Sequence, residues 1–286
     1  MIKHTGRQFG VFLEILVLLS LSGFAANTAA PKLEPADLIA RHLASLGTAE
    51  AIAAVKNRVL EGKVTGVFRV GQTGSVAGTA TLSSEGSQLS LQMVFDDFNY
   101  PGEKLASDGK QVSVAMVKAG IRAPLSQFFH DYGHILFTEG LIGGTASVGW
   151  PLLAVKEHKA KLDYRGLKKV GGKELHELRY RAAKGQFSIA LYFEPDTFRH
   201  VRSQYELRIP SVDRDATTMN SDPDTIWTVT EEFGDFRTVE GLTLPYSYKL
   251  GLNYDGLNRS FVGQWIFAFD QARQNVQLDS KAFAVE

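Results

Sequence analysis

The chain has 286 residues, 31 Lys+Arg against 31 Asp+Glu, and no cysteine. Without thiols there is no cysteine nucleophile, zinc ribbon, iron–sulfur cluster or disulfide framework, and no lipid-bearing cysteine of the bacterial lipoprotein kind. A formal net charge of zero supplies no overall field for neutralising phosphates, which excludes a general nucleic-acid partner.

Lys3, His4 and Arg7 open the chain, an apolar run follows over 9–24, and small residues occupy 25–30. That order predicts a secretory signal peptide over residues 1–30, cleaved after Ala25, Ala26 or Ala29, and hence an exported, periplasmic protein. The other reading is a retained anchor, but the run is short for a spanning helix and carries Glu14. No later stretch is long and apolar enough to span, so the mature chain is expected to have no spanning segment. Residues 31–286 show neither a repeat nor a Pro/Ser-rich linker and are read as a single domain.

Leu38, Ile39, Leu43 and Leu46 gather on one helical face, Gly47 stops that helix, and Thr48 is placed to cap a second one. From Leu60 the apolar period falls to two. Alternation predicts strands over 60–70, 76–82, 89–95 and 112–116, then around Leu178–Tyr180, over 187–193 and 201–209, around 227–233, 244–252 and 261–269, and a short one at 276–278. Short turns between them favour antiparallel pairing, and the count is about eleven strands. The centre differs. Leu125, Phe128, Phe129 and Tyr132 fall at helical spacing after Pro124, and the stretch to Leu153 is apolar and glycine-rich without alternation. The fold class is therefore mainly β with a few α-helices: a large curved antiparallel sheet covered by helices.

Candidate chemistry is sparse. His130 and His134 have the i, i+4 spacing of a metal pair, but Asp131 stands where a zinc protease has glutamate and no third ligand is evident. Asp213, Asp215, Asp222 and Asp224 resemble a calcium loop in charge, yet Thr218 holds the position that needs glycine. No serine elbow, Walker lysine or dinucleotide fingerprint is present. Asp96-Asp97 and Glu231-Glu232 are strand neighbours that point to opposite faces. The expectation is no catalytic residue, no metal and no cofactor. Apolar surface remains. A bent sheet roofed by a deformable glycine-rich segment can enclose a lipid-sized cavity, although periodicity taken alone favours an ordinary filled core.

Three groups of phrases resemble the LolA/LolB-like family of periplasmic lipoprotein carriers, which includes outer-membrane lipoprotein-sorting proteins and RseB-type sensors. They are the opening at 38–47 followed by 55–58 and the strand at 60–68, the Glu194-Pro195-Asp196-Thr197 turn after Leu191–Phe193, and Phe233–Phe236 with Val239–Pro245. The ending at 279–285 also fits. The 140–153 segment departs from the carrier proper. The resemblance implies an incomplete β-barrel around helices, whose concavity takes the acyl chains of a lipid or lipidated protein. The lining expected for it is Leu89, Leu91, Met93 and Phe95, Val114 and Met116, then Leu125, Phe128, Phe129 and Leu136. Leu141, Ile142 and Trp150 continue it, with Leu191, Phe193, Trp265 and Phe267 from later strands. The alternative is an assembly or sensor protein that holds an envelope partner by a sheet edge or by the loop at 210–225.

Overall fold

The computed structural model describes residues 1, 33–70, 72–115, 123–210, 224–256, 259–279 and 281–284. The expected signal peptide, Met116 and most of the acidic loop at 211–223 lie outside the described residues. No helix among the described residues is long and apolar enough to cross a membrane.

Helix α1 (Pro35–Leu46) starts on a proline, whose missing N–H costs nothing at that position, and buries Leu38, His42 and Leu46. Thr48 caps α2 (Ala49–Ala54) by accepting the Ala51 N–H at 3.2 Å. Five strands follow: β1 (Asn57–Val70), β2 (Gln72–Glu85), β3 (Gln88–Phe95), β4 (Gly102–Ser107) and β5 (Val112–Ala115). The central segment holds α3 (Pro124–Tyr132), α4 (His134–Thr138), single 3-10 turns at Gly144–Ala146 and Pro151–Leu153, and α5 (Val155–His158). Seven more strands complete the chain: β6 (Lys161–Val170), β7 (Lys173–Arg181), β8 (Ser188–Phe193), β9 (His200–Ile209), β10 (Thr225–Val239), β11 (Leu242–Gly256) and β12 (Arg259–Gln274).

All twelve form one antiparallel sheet in the order β5-β4-β3-β2-β1-β12-β11-β10-β9-β8-β7-β6, open between β5 and β6. The first and last strands thus lie side by side in the middle. Their ladder shifts register between Glu61 and Gly62, where a Cβ on residue 62 would come 2.2 Å from the Ala268 carbonyl oxygen, so only glycine fits. Alternation follows the sequence: Phe261, Trp265, Phe267 and Phe269 of β12 are buried, whereas Ile266 between them is exposed. Leu91 and Met93 of β3 share one core with Leu178 of β7 and Leu191 of β8, so the sheet bends until its two halves enclose common side chains. The central segment fills the space between them.

Two strands, β4 and β6, were not expected from alternation. Gly102 opens β4, and Gly166 with its charged neighbours interrupts β6. The strand expected at 276–278 is absent. After β12, Asn275 (φ 53°) turns the chain, and the Val276 N–H goes to Asn57 Oδ1 at 2.9 Å instead of to a strand partner.

Candidate binding site

Four buried polar side chains fasten the central segment to the sheet and to α1. Glu231 occupies an inward position of β10 between Val229 and Phe233. Its Oε1 accepts the Gly143 N–H at 2.7 Å and the Tyr248 hydroxyl at 2.8 Å. The Tyr205 hydroxyl lies 2.6 Å from Oε2 and 2.9 Å from the Leu141 carbonyl oxygen. Burial pushes this carboxyl up to about 7, against the opposing pull of its donors. Arg58 of β1 donates from Nη1 to the carbonyls of Thr145 (2.9 Å) and Ala146 (3.2 Å), and burial lowers its guanidinium to about 10. The Ser126 hydroxyl of α3 donates to Glu103 of β4, a carboxyl that burial raises to about 7.

The fourth fastening is His42 of α1. The Trp150 indole N–H donates to its Nε2 at 3.0 Å, while Nδ1 lies 3.1 Å from the Phe198 carbonyl. An indole only donates and a carbonyl only accepts, so the ring is neutral with its proton on Nδ1. Burial moves its pKa down to about 4. His200 stacks on Trp150, with ring centroids 4.5 Å apart, and its Nε2 lies 3.0 Å from Ser203 Oγ. The fold thus creates a serine–histidine contact that the sequence order hides. Both residues are fully buried, so no substrate reaches the pair in this conformation.

Most of the residues expected to line a cavity are core. Leu89, Leu91, Met93 and Phe95 lie on β3. Leu125, Phe128, Phe129 and Leu136 lie on α3 and α4. Leu141, Ile142 and Trp150 belong to the glycine-rich piece, and Leu191, Phe193, Trp265 and Phe267 to β8 and β12. All of these are buried together in one cluster, and Val114 packs partly buried against it. They are brought together, but against one another. The cavity beside α1, α2 and the end of the central segment, lined by Ile52, Arg58, Trp150 and Leu244, measures about 40 Å³. That is water-sized.

A larger opening lies at the rim. A groove of about 490 Å³ runs between Tyr132 and Ile135 of the central helices, Phe187 of the β7–β8 loop, and Leu207 and Ile209 of β9. Asp131, His134, Lys184 and Gln186 supply its polar margin. Its floor continues into the core, since Phe187 meets Phe128 edge-on with centroids 6.2 Å apart. The two histidines of the spaced pair do not converge here: His130 contacts Asp131 (2.9 Å), whereas His134 Nε2 lies 2.9 Å from the Lys110 carbonyl. Asp224, at the end of the acidic loop, pairs with Arg208 at 3.5 Å.

Sequence reading missed Glu231, Arg58, Glu103 and His42 as fastenings. For Glu231 the signal is parity: an acid occupies an inward place in an otherwise apolar alternation, and the same logic places His42 on the apolar face of α1. The rim groove left no such mark, because it joins three distant segments.

No protein-family profile matches this chain, and no curated protein sequence matches it. Solved structures do. A DUF1329 family protein from Desulfovibrio piger is 13% identical over 86% of this chain and 95% of its own, with a TM-score of 0.45. A LolA superfamily protein from Nitrosomonas europaea is 13% identical over 89% and 99%, with a TM-score of 0.45. A domain named for outer membrane lipoprotein sorting, from Vibrio parahaemolyticus, is 8% identical over 82% and 93%, with a TM-score of 0.41.

Proposed function

We propose that this chain is a non-catalytic binding protein of the periplasm that shelters an acyl chain of a lipid or lipidated protein. The observation that carries the reading is the rim groove: about 490 Å³, walled by aromatic and aliphatic side chains and continuous with the apolar core. Each methylene taken from water contributes about 0.8 kcal/mol, so one seated chain gives useful affinity without covalent chemistry. The groove is the entry. Displacing the central segment outward would then expose the side chains of β3, β8 and β12, Leu91, Phe193 and Phe267 among them, as the lining of a deeper concavity. Cleavage of residues 1–30 and a single binding domain over 31–286 complete the proposal.

The test is titration of the purified protein with a fluorescent hexadecanoyl probe, alone and in competition with unlabelled palmitate. Saturable binding is expected, together with a loss of at least about tenfold in affinity for Ile135→Glu, which sets a charge in the groove wall. A probe that never binds, or binds Ile135→Glu equally well, overturns the assignment.

A further inference from the structure

Beside the groove, on the other side of Phe187, lies a second cleft of about 320 Å³ with the opposite character. Lys161, Asp163 and Arg165 of β6 line it, with Arg179 and Arg181 of β7 and Ser188 of β8, so four cations stand against one acid. The ladder sets Lys161 directly opposite Arg181 and Asp163 opposite Arg179. Like charges facing each other across a strand pair are destabilising. Internal acids do not relieve them. Asp163 pairs with Arg165 at 3.0 Å and Glu177 with Arg179, whose Nη1 also donates to Ser188 Oγ at 3.0 Å. Lys161 and Arg181 have no ion-pair partner among the described residues, and both are exposed. The surroundings repeat the imbalance: residues 156–184 carry ten Lys/Arg and four Asp/Glu in a chain of zero net charge.

We infer that the two clefts form one site for an anionic phospholipid. Its phosphate sits over Lys161 and Arg181, its chain crosses Phe187, and the chain continues along Ile135, Leu207 and Ile209. This inference rests on the acyl-binding reading and adds to it the charge of the headgroup. Phe187 lines both spaces, and only residues 182–187 separate Arg181 from Ser188, so a single amphiphile spans them. A phosphate between the opposed cations turns their repulsion into attraction for the guest, with guanidinium and ammonium both donating to its oxygens.

The experiment compares lysophosphatidylglycerol with lysophosphatidylcholine of the same acyl length, with glycerol phosphate as a headgroup control, by native mass spectrometry and calorimetry. The parent protein is expected to prefer the anionic lysolipid by about tenfold at low salt, two near-surface cations each contributing to the preference. The preference should shrink as salt rises. The double variant Lys161→Gln/Arg181→Gln, which removes a repulsive pair and so keeps the fold, should lose it while binding the neutral hexadecanoyl probe as before. Equal binding of the two lysolipids, or a preference retained by the double variant, overturns the inference and leaves the acyl-binding reading intact. Glycerol phosphate binding as tightly as the lysolipid overturns the single-site geometry. Failure of every acyl compound to bind defeats the underlying function itself.

Discussion

The Tyr205 hydroxyl has one proton and two acceptors within reach, the Leu141 carbonyl at 2.9 Å and Glu231 Oε2 at 2.6 Å. Both contacts are satisfied at once when Glu231 keeps its own proton on Oε2 and donates it to Tyr205, whose hydroxyl then donates to Leu141. Oε1 meanwhile accepts from Gly143 and Tyr248. The neutral acid therefore completes the network, consistent with a carboxyl raised from 4.5 to about 7. Between those two values the folded chain holds a proton that the unfolded chain releases, so this group's contribution to stability falls as pH rises from 4.5 to about 7 and is flat above. The loss is on the order of 3 kcal/mol. Glu231→Gln places an amide where the protonated carboxyl sat. Urea unfolding should find it close to the parent at pH 5 and more stable by a few kcal/mol at pH 8.5. A difference that does not change with pH would refute the assignment. Arg58→Ala should lower the melting temperature at every pH, since it leaves the Thr145 and Ala146 carbonyls buried without a donor, at about 2–4 kcal/mol.

The central segment is held by such single contacts and by close backbone approaches, not by a ladder of its own. Gly140 (φ 69°) shows this: a Cβ there would come 2.0 Å from the Gly149 carbonyl oxygen. Gly140→Ala should cost about 2–4 kcal/mol. Hydrogen exchange should then accelerate over 124–153 while β1 and β12 stay protected, whereas uniform acceleration would mean that the segment does not move separately from the sheet. Much of this element was legible. Leu125, Phe128, Phe129 and Tyr132 mark α3 by spacing, and Thr48 and Gly47 mark the ends of the first two helices. What alternation could not convey is occupancy. Leu91 or Phe267 reads the same whether its inward face meets a guest or meets Phe129, and only three-dimensional packing separates the two. Strand β6 escaped for a related reason. As an edge it has little to bury, so charges and Gly166 blur the period on which strand recognition depends.

The sheet is a meander cut at one place. Its two edges, β5 and β6, are the strands that the central segment connects, so that segment passes from one border of the sheet to the other. Edge β6 is blunted by Lys161, Arg165, Lys168 and Lys169 and by the register break between Tyr164 and Leu167. Replacing Lys168 and Lys169 by valine should shift the protein toward larger species in light scattering, and an unchanged mass would show that the charges are not what protects this border. The pairing of β1 with β12 has a further consequence, for the order of assembly. Strand β1 finds one of its two neighbours only when residues 259–274, far along the sequence from 57–70, are available. The hairpins within each half can zip locally, but the seam that unites the halves waits for β1 to meet β12, a long closure that slows folding. Until that pairing forms, the strands on either side are two separate arrays, and the core they share stays open.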